Sequence, residues 1–244
     1  MKIRKLTLSV LMILVSTALS LAQEGDTDNA KELFNKVIES YDLLHDYSVE
    51  MTASIEMQGV SVPEMKAKIY YKRPDKISIK SDDFMLIPKK GVVFDPSFFG
   101  LDSLENTLFR FLSNEGSGDE LIKKFSVRPD PNKPDSMKVW IDPNKYVIRK
   151  VERNLRIGGK LLVEFKYIQI GGFFLPSEVV VTMDIPQSLM NMKGNPLSGK
   201  GETLAEQIGG IEEDAKGLIK VYYSNYIVNE GISDELFIKS PFMK

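Results

Sequence analysis

The spacing of hydrophobic and polar positions divides the chain into one amphipathic segment and a long series of alternating segments. From about Ala30 to Leu44, apolar side chains recur every three or four residues, which predicts an amphipathic α-helix with one apolar stripe. From Tyr47 to Met57 they recur at every second residue. That period predicts a β-strand with one face buried and the other in solvent.

Further apolar or alternating runs continue along the chain and predict a domain built mainly of strands. They are Met65–Tyr71, Ile77–Ile79, Gly91–Pro96, Met137–Ile141, Tyr146–Asn154, Lys160–Ile170, Phe173–Ile185 and Leu218–Val228. Short turns rich in Gly, Pro and Asn separate several of these runs. Consecutive strands should therefore pair antiparallel, because parallel neighbours would need long crossover connections.

Three stretches depart from the alternation. Leu104–Leu112 has helical spacing and predicts a short helix, and Glu120–Phe125 predicts one more helical turn. Pro186–Gly217 is Gly-rich and predicts a long loop. The expected fold class is α+β, mainly β: an antiparallel meander that curls around the helical segments. Such a sheet buries one face against its helices and leaves a concave apolar cavity.

The first residues have the pattern of a secretory signal peptide. Three basic residues precede the apolar stretch Leu6–Leu19, and Ser20–Ala22 places small residues at a cleavage site. This pattern predicts removal of residues 1–22 and a single exported domain over residues 23–244. An uncleaved N-terminal anchor is the alternative, although the stretch is short for a membrane span. The expected compartment is the periplasm.

Composition narrows the chemistry that the chain can support. The 244 residues include no cysteine and a single histidine, which excludes disulfides, thiolate nucleophiles, Cys-ligated zinc and His-rich metal sites. The formal net charge is −2, which gives no reason to expect nucleic acid as a partner. We therefore expect no metal and no cofactor.

The motifs that resemble catalytic sites each lack a necessary part. Gly194–Gly201 is close to a phosphate-binding loop, but glycine stands where the magnesium-binding Ser or Thr belongs. The acidic pairs and triplets Asp82–Asp83 and Glu212–Asp214 lack the spacing of a calcium loop. His45 follows the predicted helix, where a cation favours the helix dipole. An enzyme is not expected, and a hydrolase of envelope lipids is the catalytic alternative, since paired carboxylates can come from distant strands.

The segment Tyr70–Ile77, which follows the strand Met65–Ile69, resembles the strand–Arg-Pro–strand motif of the periplasmic lipoprotein carrier (LolA-like) family. Other segments resemble that family in matching order: Tyr47-Ser48, Gly91–Pro96, Val139–Asp142 with Tyr146–Glu152, and Phe174–Pro176. The similarity extends over most of residues 28–238.

This resemblance implies an incomplete β-barrel closed by short lid helices over a hydrophobic cavity. It also implies a soluble carrier that binds the acyl chains of lipoproteins, or lipids, for transfer to the outer membrane. An inner-membrane donor and an outer-membrane acceptor would then be its protein partners, and the carrier would be a monomer. The alternative within the same fold is a regulatory sensor module that binds lipoproteins or a membrane partner. Arg73 is implied to hydrogen-bond toward the lid and hold the closed state, whereas its local sequence also fits a solvated turn residue.

Twelve apolar residues are candidates for the lining of that cavity. They are Met51, Ile55, Ile69, Tyr71, Ile79, Phe84, Leu86, Phe99, Phe111, Phe165, Val181 and Met183. Alternation alone does not say which face of the sheet is concave.

Overall fold

The structure is a computed structural model that describes residues 29–57, 60–61, 63–81, 104–154, 159–186 and 215–238. Several of the predicted features lie outside these ranges. They are the signal peptide, the strand Gly91–Pro96, most of the loop Pro186–Gly217, and the cavity residues Phe84, Leu86 and Phe99.

The predicted N-terminal helix is present but shorter than its apolar pattern suggested. Helix α1 covers residues 29–39 and is followed by a turn. The Ser40 hydroxyl donates to the Val37 carbonyl at 2.7 Å, and the Tyr41 amide donates to the Ile38 carbonyl at 3.1 Å. These contacts tighten the end of the helix and replace the bonds that would have continued it. The expected helix end at Leu44 is therefore wrong, and so is the expected position of His45 at the helix end.

Eleven strands follow the helix. They are β1 (Asp46–Met57), β2 (Val60–Ser61), β3 (Met65–Lys72), β4 (Lys76–Lys80), β5 (Leu108–Glu115), β6 (Ile122–Arg128), β7 (Met137–Asp142), β8 (Val147–Asn154), β9 (Lys160–Ile170), β10 (Phe173–Ile185) and β11 (Ala215–Val228). Short 3-10 helices occupy Gly118–Glu120 and Asp234–Phe237.

All of these strands belong to one antiparallel sheet in the order β4-β3-β1-β11-β10-β9-β8-β7-β6-β5, with β2 paired to the end of β1. Strands β5 to β11 form an uninterrupted meander. The last strand then pairs with the first, so that β1 and β11 lie in the middle of the sheet. Among the described strands, β4 and β5 are the two edges of the sheet and are not paired with each other. The sheet is thus an incomplete barrel, and the expected fold class is confirmed.

Two predicted helical segments are strands. The segment predicted as a helix at Leu104–Leu112 enters the edge strand β5, and the helical turn predicted at Glu120–Phe125 gives way to β6. Phe109 is buried and Arg110 is exposed, which is the alternation of a strand. The described part of the chain consequently has no lid helix at these positions.

The apolar core lies on the face of the sheet that helix α1 covers, which we call the inner face. Phe34 of the helix is only 1% exposed, and its ring centroid lies 4.7 Å from that of Phe109 and 5.7 Å from that of Phe125. These residues belong to one cluster, built from the helix and strands β5 to β9. A second cluster joins strands β1, β3, β10 and β11 with Leu44. The N-terminal chain thus contacts both halves of the sheet.

The opposite face, which we call the outer face, is polar and carries most of the ion pairs. Lys138 and Lys160 both contact Glu152, at 2.8 and 3.2 Å. Trp140, the single tryptophan of the sequence, lies here with the Lys124 and Lys150 ammonium groups 4.6 and 5.1 Å from its ring centroid. It is 6% exposed, so its fluorescence should report on unfolding.

Candidate functional site: the inner face of the sheet

A row of directly paired apolar residues crosses the inner face of the sheet. Ile55 of β1 pairs with Ile219 of β11, which pairs with Val181 of β10, which in turn pairs with Val163 of β9. Residues paired in an antiparallel ladder project from the same face. Of these four, only Val163 is fully buried, while Ile55, Ile219 and Val181 are half-buried. We call these three residues, with Met183, the central strip.

The dimensions of the elements explain why the central strip is incompletely covered. The eleven residues of helix α1 are about 16 Å long, at a rise of about 1.5 Å per residue. Ten neighbouring strands at a spacing of about 4.8 Å extend over roughly 43 Å. One short helix therefore covers only part of the inner face, even when the sheet curls around it.

The structure places all nine described cavity candidates on the inner face, because the register links each of them to inner-face residues. Met51, Ile69 and Phe165 are buried, and the other six are half-buried. Those six are Ile55, Tyr71, Ile79, Phe111, Val181 and Met183.

The nine candidates do not form a single group. Phe111, Phe165 and Val181 pack with the cluster that contains the helix. Met51, Ile55, Ile69, Tyr71 and Ile79 pack with the cluster at strands β1, β3 and β11. Met183 pairs with Gly217 and Leu161, next to Val181 on the same face. The candidates thus line two neighbouring halves of one surface.

Sequence reasoning missed several residues of this surface. Ile219 and Tyr223 of β11, and Leu161 of β9, are half-buried apolar residues on the inner face. Their apolar character was evident in the sequence, but each has an apolar or aromatic neighbour that obscures the alternation. Their place beside Ile55 and Val181 depends on the pairing of β11 with β1 and β10, which local periodicity does not encode.

A small pocket lies at one end of the inner face, beneath the segment that follows helix α1. Its volume is about 20 Å³, which is room for about one water molecule. The hydroxyl of Tyr41 donates to the Phe174 carbonyl at 3.0 Å, and that of Tyr226 donates to the Pro176 carbonyl at 2.8 Å. The lining is Tyr41, Leu44, Tyr47, Leu175, Pro176, Tyr223 and Tyr226.

The tyrosine hydroxyls of this region remain protonated. Burial raises the pKa of Tyr41 and of Tyr223, and burial together with the neighbouring Tyr47 raises the pKa of Tyr226. These groups can therefore donate hydrogen bonds at physiological pH but do not ionise to act as bases. Among the described residues, no group of three or more His, Asp or Glu side chains is placed to hold a metal ion. The surface is suited to apolar contact.

Arg73 connects the turn after helix α1 to the β3–β4 hairpin. Its Nη1 donates to the Asp42 carbonyl and its Nη2 donates to the Asp42 carboxylate, both at 3.1 Å. The Arg73 amide also donates to the His45 carbonyl at 2.9 Å. Arg73 precedes Pro74 through a cis peptide bond. The side chain thus bonds to the chain segment that leads from the helix into β1.

Asn229, just after the end of β11, forms hydrogen bonds with the same segment between helix α1 and β1. Its Nδ2 donates to the Leu43 carbonyl at 2.8 Å, and its Oδ1 accepts from the amides of His45 and Asp46 at 2.8 and 3.3 Å. The Asn229 backbone has φ +57°, a left-handed conformation that Asn tolerates better than most residues. The end of β11 and the start of β1 are joined at this point.

We expect Asn229→Ala to lower the free energy of unfolding by about 2–3 kcal/mol. Three exposed or half-exposed hydrogen bonds would be lost at about 0.5 kcal/mol or more each, and alanine adds about 1 kcal/mol of backbone strain. Asn229→Gly removes the same bonds without that strain, so its loss should be about 1 kcal/mol smaller. Urea denaturation followed by Trp140 fluorescence measures both variants, and equal losses would contradict the backbone contribution.

No protein-family model matches the sequence, and no curated protein is significantly similar to it. Solved structures are similar in fold. A protein domain named for outer membrane lipoprotein sorting, from Vibrio parahaemolyticus, superimposes with a TM-score of 0.56 at 14% identity, over 85% of this chain and 95% of that chain. This chain has the fold of that domain.

Two further structures share the arrangement. A DUF1329 family protein from Desulfovibrio piger has a TM-score of 0.58 at 12% identity, over 88% of this chain and 98% of that chain. A LolA superfamily protein from Nitrosomonas europaea has a TM-score of 0.45 at 12% identity, over 86% and 97% of the two chains. The likeness to the structures from Vibrio parahaemolyticus and Desulfovibrio piger confirms the sequence resemblance as a resemblance of fold. In the described part of the chain, no helix has both the length and the apolar character of a membrane span.

Proposed function

We propose that this protein is an exported carrier that binds the acyl chains of lipoproteins, or free lipids, against the inner face of its sheet. The observation that carries this proposal is the central strip, where paired aliphatic side chains on the inner face of the sheet stay half-buried. The fold of the lipoprotein-sorting domain from Vibrio parahaemolyticus supports it.

An acyl chain is a suitable ligand for such a surface. Each methylene that leaves water contributes about 0.8 kcal/mol, so a sixteen-carbon chain contributes roughly 12 kcal/mol before costs. Ordering the chain and separating the helix from the sheet offset part of that gain. The result would be tight but reversible binding, which a carrier between two membranes requires.

The proposal includes a location and a mode of action. The N-terminal pattern of basic residues followed by Leu6–Leu19 supports export to the periplasm after cleavage near Ala22. A donor in the inner membrane and an acceptor in the outer membrane would load and unload the carrier. The proposed activity is binding and release, without a covalent step, a metal or a cofactor.

Native mass spectrometry of the protein isolated from its own cell envelope tests this function directly. We expect a stoichiometric adduct, which solvent extraction identifies as a lipid or an acylated protein. Uptake of a fluorescent fatty acid by the delipidated protein would confirm the site. A ligand-free mass together with no uptake of the fatty acid would contradict the proposal and leave the inner face as a filled core.

We expect Arg73→Leu to accelerate ligand exchange by up to about fivefold while lowering the free energy of unfolding by only about 0.2–1 kcal/mol. The Arg73 side chain is 38% exposed, so its ion pair with Asp42 contributes little to overall stability. The substitution removes the side-chain bonds between the hairpin and the segment that joins helix α1 to β1, and leaves the bond from the Arg73 amide to the His45 carbonyl. Fluorescent fatty-acid exchange under stopped flow measures the first effect and urea denaturation the second.

A double-mutant cycle separates this role from a general loosening of the fold. Asp42→Ala removes the ion pair but keeps the bond from Arg73 to the Asp42 carbonyl, so it should accelerate exchange by no more than Arg73→Leu does. The double variant should be no faster than Arg73→Leu alone. Arg73→Lys keeps one charged donor and should be intermediate. Additive effects of the two single substitutions, or unchanged exchange, would remove Arg73 from the mechanism.

A further inference from the structure

The outer face of the β3–β4 hairpin has a charge opposite in sign to that of the whole chain. The hairpin Met65–Lys80 contains six basic residues and one acidic residue, whereas the chain has a net charge of −2. Five lysines and one tyrosine of this hairpin form what we call the basic face. They are Lys66, Lys68, Tyr70, Lys72, Lys76 and Lys80.

The register sets lysines directly opposite each other on this face. Lys68 pairs with Lys80, and Lys72 pairs with Lys76. Like charges directly opposite one another destabilise an antiparallel pair. The second pair is compensated within the protein, because the Asp234 carboxylate lies 2.8 Å from Lys72 and 3.1 Å from Lys76.

The first pair has no such compensation. No ion pair among the described residues involves Lys68 or Lys80, and their ammonium groups lie 5.9 and 5.6 Å from the centroid of the same Tyr70 ring. Glu50 pairs with Lys68 across the ladder, but its carboxylate accepts a hydrogen bond from Asn225 at 2.7 Å. A lysine on an edge strand hinders association with strands of other molecules, which can explain Lys80 on β4. It does not explain the second lysine, Lys68, directly opposite on β3.

Exposed apolar side chains lie beside these lysines on the same face. Ser48 pairs with Tyr70 on one side and with Ile227 on the other, and Ile227 is 44% exposed. Thr52 likewise pairs with Lys66 and with Tyr222, which is 46% exposed. Aromatic and aliphatic side chains set among lysines are the composition of surfaces that meet lipid headgroups.

We propose that the basic face docks the protein on the anionic headgroups of a lipid bilayer. Lys68 and Lys80 would bind the phosphates, and Tyr70, Tyr222 and Ile227 would contact the headgroup layer. Docking would supply anionic partners to the opposed lysines, which form no ion pair with a described carboxylate. The basic face lies on the side of the sheet opposite the central strip, so this inference holds whether or not the inner face binds acyl chains.

Flotation of the purified exported protein with lipid vesicles tests the inference. One set of vesicles is phosphatidylcholine alone, and the other is an equal mixture of phosphatidylcholine and phosphatidylglycerol. We expect binding to the anionic vesicles only, weakening as salt is raised. Lys68→Gln with Lys80→Gln should reduce partitioning by about thirtyfold, because each lysine near an anionic surface contributes a factor of about five.

A matched control removes the same charge elsewhere. Lys133 and Lys145 are exposed lysines in turns of the β6–β8 region, on the far half of the sheet. Lys133→Gln with Lys145→Gln should leave partitioning within about twofold of the unsubstituted protein, since only lysines near the surface contribute. Equal losses for both double variants, equal binding to neutral vesicles, or no vesicle binding at all would overturn the proposal. The last result is also the one expected if the basic face binds only an acidic protein.

A further variant, Lys80→Glu, distinguishes a loss of vesicle binding from a loss of stability. The carboxylate introduced opposite Lys68 replaces a repulsive cross-strand pair with an attractive one, so the melting temperature should rise by about 1–4 °C. Vesicle binding should nevertheless fall at least as far as in the double glutamine variant. A variant that is more stable but retains full vesicle binding would contradict the proposed docking surface.

Discussion

Phe34→Ala should lower the free energy of unfolding by about 3–5 kcal/mol, the largest stability effect that we expect from a single substitution in this protein. Phe34 is 1% exposed and packs against Phe109 and Phe125, so its removal leaves a cavity between helix α1 and the first cluster. Helix α1 has only eleven residues and depends on this packing, because a short isolated helix is marginal in water. Guanidinium denaturation followed by Trp140 fluorescence measures the loss.

The neighbouring position supplies the control. Asn35 is exposed on the other side of the same helical turn, so Asn35→Ala should change the free energy of unfolding by less than about 0.5 kcal/mol. A similar small change for Phe34→Ala would mean that the helix does not rest on the sheet as described. Ligand binding by Phe34→Ala, measured where the variant is still folded, should also weaken because the helix covers the inner face.

Val181→Asp should reduce the affinity for a fluorescent fatty acid by about a hundredfold or more. A carboxylate in the central strip would either be desolvated beneath the acyl chain or exclude that chain, and desolvating an unpaired charge is costly. Isothermal titration with the delipidated protein measures the loss. Circular dichroism and Trp140 fluorescence establish that the variant is folded.

Val180 provides an unusually close comparison, since it is the adjacent residue of the same type on the outer face. It pairs with Lys220 and Glu164 and is also half-buried. Val180→Asp should therefore keep fatty-acid affinity within about threefold of the unsubstituted protein. Equal losses in the two variants would indicate a general effect on the sheet and would contradict the assignment of the inner face. Val181→Phe keeps the apolar character and should bind longer acyl chains less well by occupying their space.

Two strands that are bounded by a clear turn could be predicted to the residue. Lys160–Ile170 and Phe173–Ile185 were expected and are present as β9 and β10. Gly171 and Gly172 between them have φ +58° and +87°, which side-chain-bearing residues rarely adopt, so the glycine pair marks the turn. These two strands and the turn between them depend on residues that are close together in the chain, so they can be predicted from the sequence alone.

Strand β5 shows where such prediction fails. Leu108 is 50% exposed on a strand whose inner side carries Phe109 and Phe111. An apolar residue on the outer side disturbs the alternation and produces helical spacing instead. The segment nevertheless forms a strand, which buries Phe109 against Phe34. Such tertiary contacts outweigh the local preference for a helix.

The candidate site could be predicted only in part, for a different reason. The apolar character of Val181, Met183 and Ile55 is evident in the sequence, and all three lie on the inner face. Which other residues adjoin them depends on β11 pairing with both β1 and β10. Such pairings join distant parts of the chain, and no periodicity within a strand specifies them.

The central place of β11 has a consequence for how this protein comes to be folded. Tyr47 pairs with Val228, about 180 residues later, and in the described sheet β11 is the strand that links β1, β3 and β4 to the meander β5–β10. The two parts of the sheet cannot join until the last strand has been synthesised, and such distant pairings form slowly. The growing chain is thus kept from reaching its native state early. The export that we propose for this protein would require that condition, because a translocation channel threads unfolded chains. Folding would then begin on the far side of the membrane, after the C-terminal strand has arrived.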